Sequence, residues 1–421
     1  MTPHYDDGDV TVYHGDCLDV LRELPDASVD AVVTDPPYEL TGGGSGGFMG
    51  KHWDATGIAY NVDMWRQCLR VLRPGGHLLA FGGTRTYHRM ACAIEDAGFE
   101  IRDSIHWTYG SGFPKSLDVS KAIDKAAGAT REVVAEVFRG NRAGTSAGIM
   151  GESVPRTDTI TAPATDAARQ WDGWGTALKP SHEPIVVARK PLVGTVAGNV
   201  LAHGTGAINV DACRVAHDEP PGSPSLGAHG RRAGIMGETV MRYRETTAAD
   251  IKGRWPANTI LTHAPDCDPD GGCGAGCPCA EMDAQSGVST SVGVAAFKPR
   301  SVYNADAEGY DISGTEIGYG DTGGASRFFP AFYYTAKASS AERPRGDGVA
   351  HPTVKPLDLM RWLVRLVTPP GGVVLEPFAG SGTTAEACVV EGFRCIAIER
   401  EADYLPLIVA RLTKPIERTL L

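Results

Sequence analysis

The sequence predicts an α/β fold whose regular part comes from both ends of a 421-residue chain. Short apolar runs alternate with helix-like stretches in the first hundred residues and again in the last eighty. Neither end is a whole domain by itself, and residues 107–337 between them are Gly-rich and polar. A chain of this length favours two lobes over one, because single cores rarely grow past about 250 to 300 residues.

Composition excludes several classes of protein. Hydrophobic residues make up 42% of the chain and charged residues 22%, which excludes collagen, a coiled coil and wholesale disorder. No apolar run approaches the roughly 18 to 20 residues of a bilayer span, and Asp6, Asp7 and Asp9 stand where a signal peptide has basic and apolar residues. We therefore expect a cytosolic protein with a cytoplasmic location.

The N-terminal elements follow from apolar runs and a proline break. Residues Val62–Leu72 have the spacing of an amphipathic helix, which the sequence Pro74-Gly75-Gly76 stops. Three runs are typical of buried strands: Val10–His14, Val29–Thr34 and His77–Phe81.

The C-terminal elements repeat this pattern. A helix is predicted over Leu357–Val367, with Pro356 at its first turn and a Pro-Pro-Gly-Gly break after it. A strand, a helix and a second strand follow: Val373–Phe378, Thr383–Glu391 and Cys395–Glu399.

The middle region, residues 107–337, has only isolated strand-like runs such as Pro184–Ala188 and Asn258–Thr262. The phrase Ala-Gly-Ile-Met-Gly-Glu occurs at 147–152 and 233–238, either as two similar loops or by chance in Gly-rich sequence. Binding residues concentrate on loops that a rigid scaffold carries. The middle region is therefore predicted to be a recognition region.

The net charge of −11 argues against a nucleic-acid partner. However, the excess of acid lies mainly at the two chain ends. Within the middle region, residues 231–255 form a basic strip that contains three acids and six basic residues: Arg231, Arg232, Arg242, Arg244, Lys252 and Arg254.

The strongest signal for chemistry is Asp35-Pro36-Pro37-Tyr38, directly after the predicted strand Val29–Thr34. The two prolines fix the chain so that the Asp35 carboxylate and the Pro36 carbonyl can face one small volume. These two acceptors suit the N–H hydrogens of an exocyclic amine on a planar base, on which Tyr38 can stack. Binding both hydrogens localises the nitrogen lone pair and directs it toward an electrophile. The alternative is a purely structural turn capped by Asp35.

A second signal is a strand, a glycine turn, a helix and a strand that ends in an acid. Gly380 and Gly382 let the backbone approach a ligand, and Glu399 is placed for a ribose diol. No lysine follows Gly382 to reach phosphates, and the third glycine of a dinucleotide fingerprint is missing. A nucleoside without pyrophosphate therefore fits better, and a tight turn without a ligand is the alternative.

These motifs and their order resemble the β group of amino DNA methyltransferases, which methylate adenine N6 or cytosine N4 from S-adenosylmethionine. Phrases in the middle of the chain are similar to phage and prophage modification methylases. The resemblance implies a Rossmann-like, seven-stranded sheet assembled from both chain ends. It implies a catalytic half at 1–106, an inserted target-recognition region at 107–337 and a cofactor-binding half at 338–421. Glu376, where Asp is usual, is a small departure from the family pattern.

The resemblance also assigns residues to the cofactor. The glycine turn would line it, the strand-ending acid would hold its ribose, and an acid after the first strand would contact its adenine. The segment before the helix at Leu357 would reach its methionine end, since a lysine and a helix N-terminus suit a carboxylate. Asp16 could instead be a plain turn acid, and Lys355 a solvated charge. The predicted cofactor residues are Asp16, Thr353, Lys355, Phe378, Gly380, Gly382 and Glu399.

Two segments are predicted to contact DNA. Trp53 follows the glycine-rich stretch 42–50, which is typical of a mobile loop over a base pocket, although a flexible surface loop with one buried Trp is an alternative. The basic strip supplies the other set, Arg231, Arg232, Arg242 and Arg244.

A final cluster places five thiol or imidazole groups in 17 residues: His263, Cys267, Cys273, Cys277 and Cys279. Structural zinc needs four such ligands, but the Cys277-x-Cys279 spacing is too close for the common knuckle. A reduced Cys-rich loop and an occasional disulfide are the alternatives to zinc.

We therefore expect a site-specific methyltransferase that acts on a flipped base in double-stranded DNA. Adenine N6 is favoured by Asp35, because cytosine-N4 relatives more often carry Ser there. The alternatives are a cytosine-N4 enzyme, an RNA or protein-amide methyltransferase, which usually resembles Asn-Pro-Pro-Tyr, and a non-catalytic DNA-binding module. A homodimer and a cognate restriction endonuclease are further expectations.

Overall fold

We describe the protein from a computed structural model. It describes residues 1–40, 52–110, 116–142, 154–215, 231–234, 237–240, 253–264, 266–268, 272–274, 276–290, 322–333, 351 and 353–416. The chain forms two compact units, the larger from Met1–Ser111 with His182–Leu421 and the smaller from Gly112–Ser181. Within the described ranges, the helices are all too short or too polar to cross a bilayer.

The N-terminal part of the larger unit alternates strands with helices. Its elements are β1 (Tyr5–Asp6), β2 (Val10–His14), α1 (Cys17–Glu23), β3 (Val29–Thr34), α2 (Val62–Val71), β4 (Leu72–Phe81), α3 (Tyr87–Asp96) and β5 (Glu100–Thr108). The predicted strands β2 and β3 are confirmed at both ends. The helix predicted over Val62–Leu72 is confirmed within one residue. The predicted strand start at His77 is wrong, because β4 begins at Leu72 and contains Pro74-Gly75-Gly76, where its pairing with β3 is irregular.

The smaller unit contains α4 (Val119–Ala126), β6 (Val133–Arg142), β7 (Val154–Thr161) and α5 (Asp166–Gln170). β6 and β7 pair antiparallel. A buried ion pair joins Arg131 Nη1 to Asp124 Oδ2 at 2.8 Å. The same carboxylate accepts from the backbone N–H and the hydroxyl of Thr165, so one acid fastens α5 to α4.

The larger unit resumes after residue 181. Its elements up to residue 333 are β8 (His182–Arg189), α6 (Val196–His203), β9 (Arg231–Gly234), β10 (Gly237–Val240), β11 (Thr259–Thr262), α7 (Pro278–Ser286), β12 (Ser289–Thr290), β13 (Thr322–Gly323) and β14 (Ala331–Phe332). The C-terminal elements are α8 (Leu357–Val367), β15 (Val373–Glu376), α9 (Thr383–Val390), β16 (Arg394–Glu399) and α10 (Leu405–Thr413). All four elements predicted over 357–399 are confirmed within two residues.

Ten strands form one sheet in the order β1-β2-β16-β15-β3-β4-β8-β5-β11-β14. The five strands from β2 to β4 in this order run parallel, and β8 is antiparallel to both of its neighbours. C-terminal strands β16 and β15 lie between N-terminal strands β2 and β3. The predicted Rossmann-like sheet built from both chain ends is therefore confirmed, and among its seven strands from β2 to β5 only β8 comes from the middle region.

Successive side chains of the central strands point to opposite faces of the sheet, and both faces are buried. In β3, Ala31 and Val33 belong to the core on the side of α8 and α9, while Val32 belongs to the core on the side of α1, α2 and α3. Five residues of α8 face this sheet at helical spacing and are buried: Leu359, Met360, Leu363, Val364 and Val367. Burying each such side chain contributes about 1.5 to 3 kcal/mol to the free energy of folding.

The pairing of β3 with β15 positions the candidate site. Because the two strands are parallel, their carboxyl ends meet at one edge of the sheet. Buried Asp30 strengthens the junction at the opposite end, since its Oδ2 accepts the Val373 N–H at 2.8 Å and its Oδ1 binds Arg73 Nη1 at 2.7 Å.

Parts of the middle region also belong to the main sheet. β8, β11 and β14 lie within residues 107–337 and extend the sheet beyond β4. The compact units thus follow other boundaries than the predicted halves, and the assignment of target recognition to 107–337 stays a prediction.

Candidate active site

The Asp35–Tyr38 segment leaves the carboxyl end of β3. Asp35 Oδ2 accepts a hydrogen bond from Lys355 Nζ at 2.6 Å. Asp35 Oδ1 is buried and has no hydrogen-bond partner among the described residues. An unsatisfied buried acceptor costs about 1 to 3 kcal/mol, so it is typical of a site that a ligand completes.

Tyr38 is held by hydrogen bonds at both ends. Its hydroxyl donates to Glu183 Oε2 at 2.7 Å and accepts from Lys355 Nζ at 3.0 Å. Its carbonyl accepts from Thr86 Oγ1 at 2.7 Å. Burial, together with the charges of Asp35 and Glu183, raises the pKa of Tyr38 well above its usual value, so the phenol stays neutral.

Lys355 lies among aromatic rings and carboxylates. Its Nζ is 2.6 Å from Asp35 Oδ2, 3.3 Å from Glu183 Oε2 and 4.8 Å from the centre of the Phe81 ring. Burial lowers the pKa of Lys355, but the carboxylates of Asp35 and Glu183 outweigh burial and the pKa is raised. The ammonium is therefore charged and, with both acids ionised, the three groups carry one net negative charge.

Glu183 is a candidate site residue that the sequence interpretation missed. It lies at the start of antiparallel β8, two strands from β3, and its Oε1 also accepts from the Tyr109 hydroxyl at 3.3 Å. The sequence interpretation considered only the apolar run from Pro184 to Ala188, which it identified as an isolated strand. The available signal was a carboxylate directly before that run.

The glycine turn follows β15, the strand next to β3. Gly380 and Gly382 have φ angles of +54° and +81°, in the left-handed region that favours glycine. A Cβ at Gly380 would lie 3.1 Å from His351 Nε2, and one at Gly382 would lie 3.0 Å from a methyl carbon of Ile408. A side chain at either position would therefore adopt a strained backbone conformation and would require its neighbour to shift.

Glu399 ends β16 beside this turn. Its Oε2 accepts the Gly380 N–H at 2.7 Å and its Oε1 accepts the Glu401 N–H at 2.7 Å. Burial raises the pKa of Glu399 to about 7. Asp16 lies on the neighbouring strand end, because His14 pairs with Glu399, and its Oδ1 caps α1 through the Leu18 N–H at 2.9 Å.

Glu376 connects the end of β3, which precedes Asp35, to the glycine turn after β15. Its buried carboxylate accepts from Thr34 Oγ1 at 2.5 Å, Thr384 Oγ1 at 2.7 Å and the Phe378 N–H at 3.0 Å. Burial raises its pKa to about 8 despite these donors. The longer side chain that replaces the usual Asp thus spans from the end of β3 to the glycine turn.

The segment before α8 lies beside both motifs. His351 packs against Gly380, and its Nδ1 is in hydrogen-bond contact with the Thr353 carbonyl. Lys355, four residues further along the chain than His351, was predicted for the methionine end of a cofactor, and the structure places its ammonium on Asp35 and Glu183. The ammonium of Lys355 therefore lies in the predicted base site, and its role at the methionine end of a cofactor stays a prediction.

The predicted DNA contacts are described only in part. Trp53 lies in a short 3₁₀ turn, His52–Ala55, and its side chain is outside the described residues, as is the stretch 42–50. Arg231 and Arg232 lie in β9, which pairs with β10. Arg242 and Arg244 fall outside the described residues, as does the first copy of the repeated phrase.

Four of the five predicted metal ligands come together. One ligand atom from each of His263, Cys267, Cys273 and Cys277 lies within 4.8 Å of those from the other three. Cys279 is outside this group, and its buried thiol belongs to a small apolar cluster with Leu261.

Comparison with known proteins gives local and overall matches. The chain is 38% identical over 84 residues to the type II methyltransferase M.ScaI of Streptomyces caespitosus, which covers 20% of this chain and 26% of that relative. It is 27% identical over 117 residues to the type II methyltransferase M2.LlaDCHI of Lactococcus lactis subsp. cremoris. This match covers 25% of this chain and 44% of that relative. The matches thus span less than half the length of either relative. The solved cytosine-N4-specific PvuII DNA methyltransferase is 12% identical, with 98% and 89% of the two chains covered and a TM-score of 0.44.

The family comparison extends over most of the sequence. Residues 29–410 match the profile of a DNA methylase family whose members are N6 and N4 methyltransferases. This range begins at β3, contains Asp35–Tyr38, Glu183, the glycine turn and Glu399, and ends in α10. The chain therefore belongs to the N6/N4 DNA methylase family.

Proposed function

We propose that the protein transfers a methyl group from S-adenosylmethionine to the exocyclic amine of a base in double-stranded DNA, with adenine N6 as the favoured target. The observation that carries this proposal is the unpartnered, buried Oδ1 of Asp35 at the end of β3. It lies one strand away from the glycine turn that follows β15 and two strands away from Glu399 at the end of β16, and this turn and this acid suit a nucleoside.

The residues around the glycine turn fit the proposed cofactor. Gly380 and Gly382 remove side chains where a nucleoside must approach, and Glu399 offers carboxylate oxygens for ribose hydroxyls. Phe378 is half-buried next to them, as a residue that contacts a bound ring would be. S-adenosylmethionine, when bound, supplies an electrophilic methyl group.

Asp35 and its neighbours would bind the target base and its amine. Asp35 Oδ1 would accept one N–H of the target amine, which localises the nitrogen lone pair for attack. The Pro36 carbonyl would accept the other N–H and Tyr38 would stack on the base, within a segment that Pro36 and Pro37 stiffen. As the methyl group transfers, positive charge develops on the nitrogen, and the net negative charge of Asp35, Glu183 and Lys355 would stabilise it.

The choice of adenine rests on the residue type at position 35, and cytosine N4 is the second candidate. Enzymatic digestion of DNA methylated by the purified protein, followed by mass spectrometry, separates N6-methyladenine from N4-methylcytosine. N4-methylcytosine as the product would overturn the base assignment and keep the mechanism. Methylated RNA or protein without methylated DNA would overturn the substrate class, and cofactor binding without any methyl transfer would identify a non-catalytic module.

The target amine is inaccessible within a duplex, so the base must leave the stack, at a cost of a few kcal/mol. The fluorescence of a 2-aminopurine at the target position should therefore increase when the protein binds. Because 2-aminopurine has no amine at C6, methylation is measured on the matching adenine duplex. A probe whose fluorescence does not increase, while that duplex is fully methylated, would contradict base extrusion. A cytoplasmic location, a homodimer and a cognate restriction endonuclease remain proposals that accompany this function.

A further inference from the structure

A second group of reactive side chains lies between β11 and α7. His263 follows β11, Cys277 is the N-cap of α7, and Cys267 and Cys273 lie between them. We propose that His263 Nδ1 and the Sγ atoms of these three cysteines bind a structural zinc ion.

The distances in this group agree with tetrahedral zinc. His263 Nδ1 lies 3.3 Å from Cys273 Sγ and 3.5 Å from Cys277 Sγ. Zinc bonds of about 2.3 Å to sulfur and 2.0 to 2.1 Å to nitrogen place two ligand atoms of a tetrahedron about 3.5 Å apart. A disulfide would need about 2 Å between sulfurs, and the four cysteines of the segment are free. The four ligand atoms thus lie within 4.8 Å of one another, close enough to bind one ion, and no disulfide joins the cysteines.

Backbone and ring contacts hold the ligands in place. The His263 ring stacks on Tyr333 with centres 4.4 Å apart, and the His263 N–H donates to the Phe332 carbonyl at 2.9 Å. Asp268 and Gly272 exchange two backbone hydrogen bonds of 3.1 and 3.0 Å, which bring Cys267 and Cys273 to one side. The Gly274 N–H donates to Cys267 Sγ at 3.2 Å. Such outer contacts orient ligands and are typical of metal sites.

Among the residues of this segment that the structure describes, apolar packing is limited to one small cluster. Its apolar cluster contains four buried residues, Leu261, Ala264, Cys277 and Cys279. The sequence between His263 and Cys277 is rich in Gly, Asp and Pro, a composition that offers little apolar surface to offset the loss of conformational entropy on folding. A bound ion would close this loop, and for structural zinc sites the binding free energy contributes directly to folding.

The proposed zinc loop packs toward the candidate active site. A Cβ at Gly110 would lie 3.2 Å from the Pro278 ring, which directly follows Cys277. Tyr109, the residue before Gly110, donates a hydrogen bond from its hydroxyl to Glu183. The ion therefore stabilises a segment that packs next to the candidate active site. Its role is structural, because it lies outside that site.

Metal analysis of the full-length protein tests the proposal directly. We expect about one zinc per chain, and exchange for cobalt should give the visible bands of tetrahedral thiolate coordination. Cys273→Ser removes an exposed ligand and should lower the zinc content about tenfold or more, while Cys273→His should restore it. Cys92→Ser, which changes an exposed cysteine elsewhere, is the matched control and should keep its zinc.

A chelator should lower the melting temperature of the wild-type protein and leave that of Cys273→Ser unchanged. Folded protein that contains no zinc and gives no cobalt–thiolate bands would overturn the proposal. So would full zinc content in Cys273→Ser, or iron as the bound metal. These measurements do not depend on methyl transfer, so their failure is distinguishable from failure of the proposed function.

Discussion

Asp35 has two carboxylate oxygens in different environments. Oδ2 is bound to the Lys355 ammonium, which offsets part of the cost of holding a carboxylate away from water. Oδ1 has no partner among the described residues, so it remains an acceptor for an incoming N–H. The lysine thereby orients the carboxylate for one specific hydrogen bond.

Asp35→Ala should abolish methyl transfer and leave cofactor binding nearly unchanged, because we propose that the carboxylate binds the target amine and not the ribose. Loss of one such positioned group costs about 3 to 4 kcal/mol, or two to three decades in rate. Single-turnover rates and calorimetry with the cofactor measure the two effects separately. Asp19→Ala, at an exposed acid of α1, is the control, and near-normal turnover of Asp35→Ala would refute the mechanism.

Glu183→Gln keeps the shape of the side chain and an acceptor for Tyr38 but removes the negative charge. We expect methyl transfer to fall by about 10- to 100-fold, the equivalent of a charged hydrogen bond of about 1.5 to 3 kcal/mol, with an unchanged cofactor dissociation constant. Tyr109→Phe removes only the longer 3.3 Å contact to Glu183 and should have a smaller effect. Equal rates for wild type and Glu183→Gln would show that the charge has no part in catalysis.

Glu399 should make cofactor binding depend on pH, since burial raises its pKa to about 7. Above this value the ionised carboxylate accepts charge-assisted hydrogen bonds from ribose hydroxyls. Below it the carboxyl group is protonated, so affinity should fall as the pH drops from about 8 to about 6.

Calorimetry across this range with wild type and Glu399→Gln provides the test. The variant should bind the cofactor about 1 to 3 kcal/mol more weakly at high pH and show little pH dependence. Glu399→Ala should weaken cofactor binding similarly while DNA binding persists. An unchanged dissociation constant in both variants would remove the ribose role of Glu399.

The sequence predicted those site residues that belong to continuous motifs. Asp35, Tyr38 and Gly380 follow buried strands and Glu399 ends one, and parallel strands place such positions at one edge of the sheet. The pairing of Lys355 with Asp35 joins residues 320 positions apart, and Glu183 enters from an antiparallel strand. No local pattern encodes such contacts, because they depend on strand order.

At the scale of elements, burial on both faces explains which strands the sequence revealed. Every residue of β3 and β15 is buried, so each is a continuous apolar run apart from Asp30, Thr34 and Glu376. In β5, three of the first four residues, Ile101, Arg102 and Asp103, are exposed, so this strand has no such run. The predicted helix α8 was confirmed at both ends because Pro356 and the Pro-Pro-Gly-Gly break mark its boundaries.

Asp30→Ala should weaken the junction of β3 and β15. The substitution leaves the buried Val373 N–H without its acceptor and removes the partner of Arg73, so we expect a loss of about 1 to 3 kcal/mol in the free energy of unfolding. Urea denaturation measures this loss. Asp26→Ala removes an exposed ion pair with Arg70 and should cost at most about 1 kcal/mol. Equal losses in the two variants would show that the buried hydrogen bond is unimportant.

At the scale of the whole molecule, a net charge of −11 must be reconciled with the polyanionic substrate that we propose. The acidic chain ends form most of the sheet, including β2, β3, β15 and β16, and cannot attract DNA phosphates. Contacts to the DNA backbone must therefore come from local basic segments. The basic strip 231–255 is the segment that the sequence offers for this role.

Neutralising Arg231, Arg232, Arg242 and Arg244 together should lower DNA affinity at every sequence and flatten its salt dependence by roughly one unit of log slope per lost phosphate contact. Binding titrations at several salt concentrations measure both quantities. Arg22→Gln with Arg66→Gln, two exposed arginines paired with neighbouring acids, is the control, because it lowers the charge without touching the strip. If the quadruple variant keeps the wild-type slope, the phosphate contacts lie elsewhere in 107–337 and the basic strip is only a solvated surface.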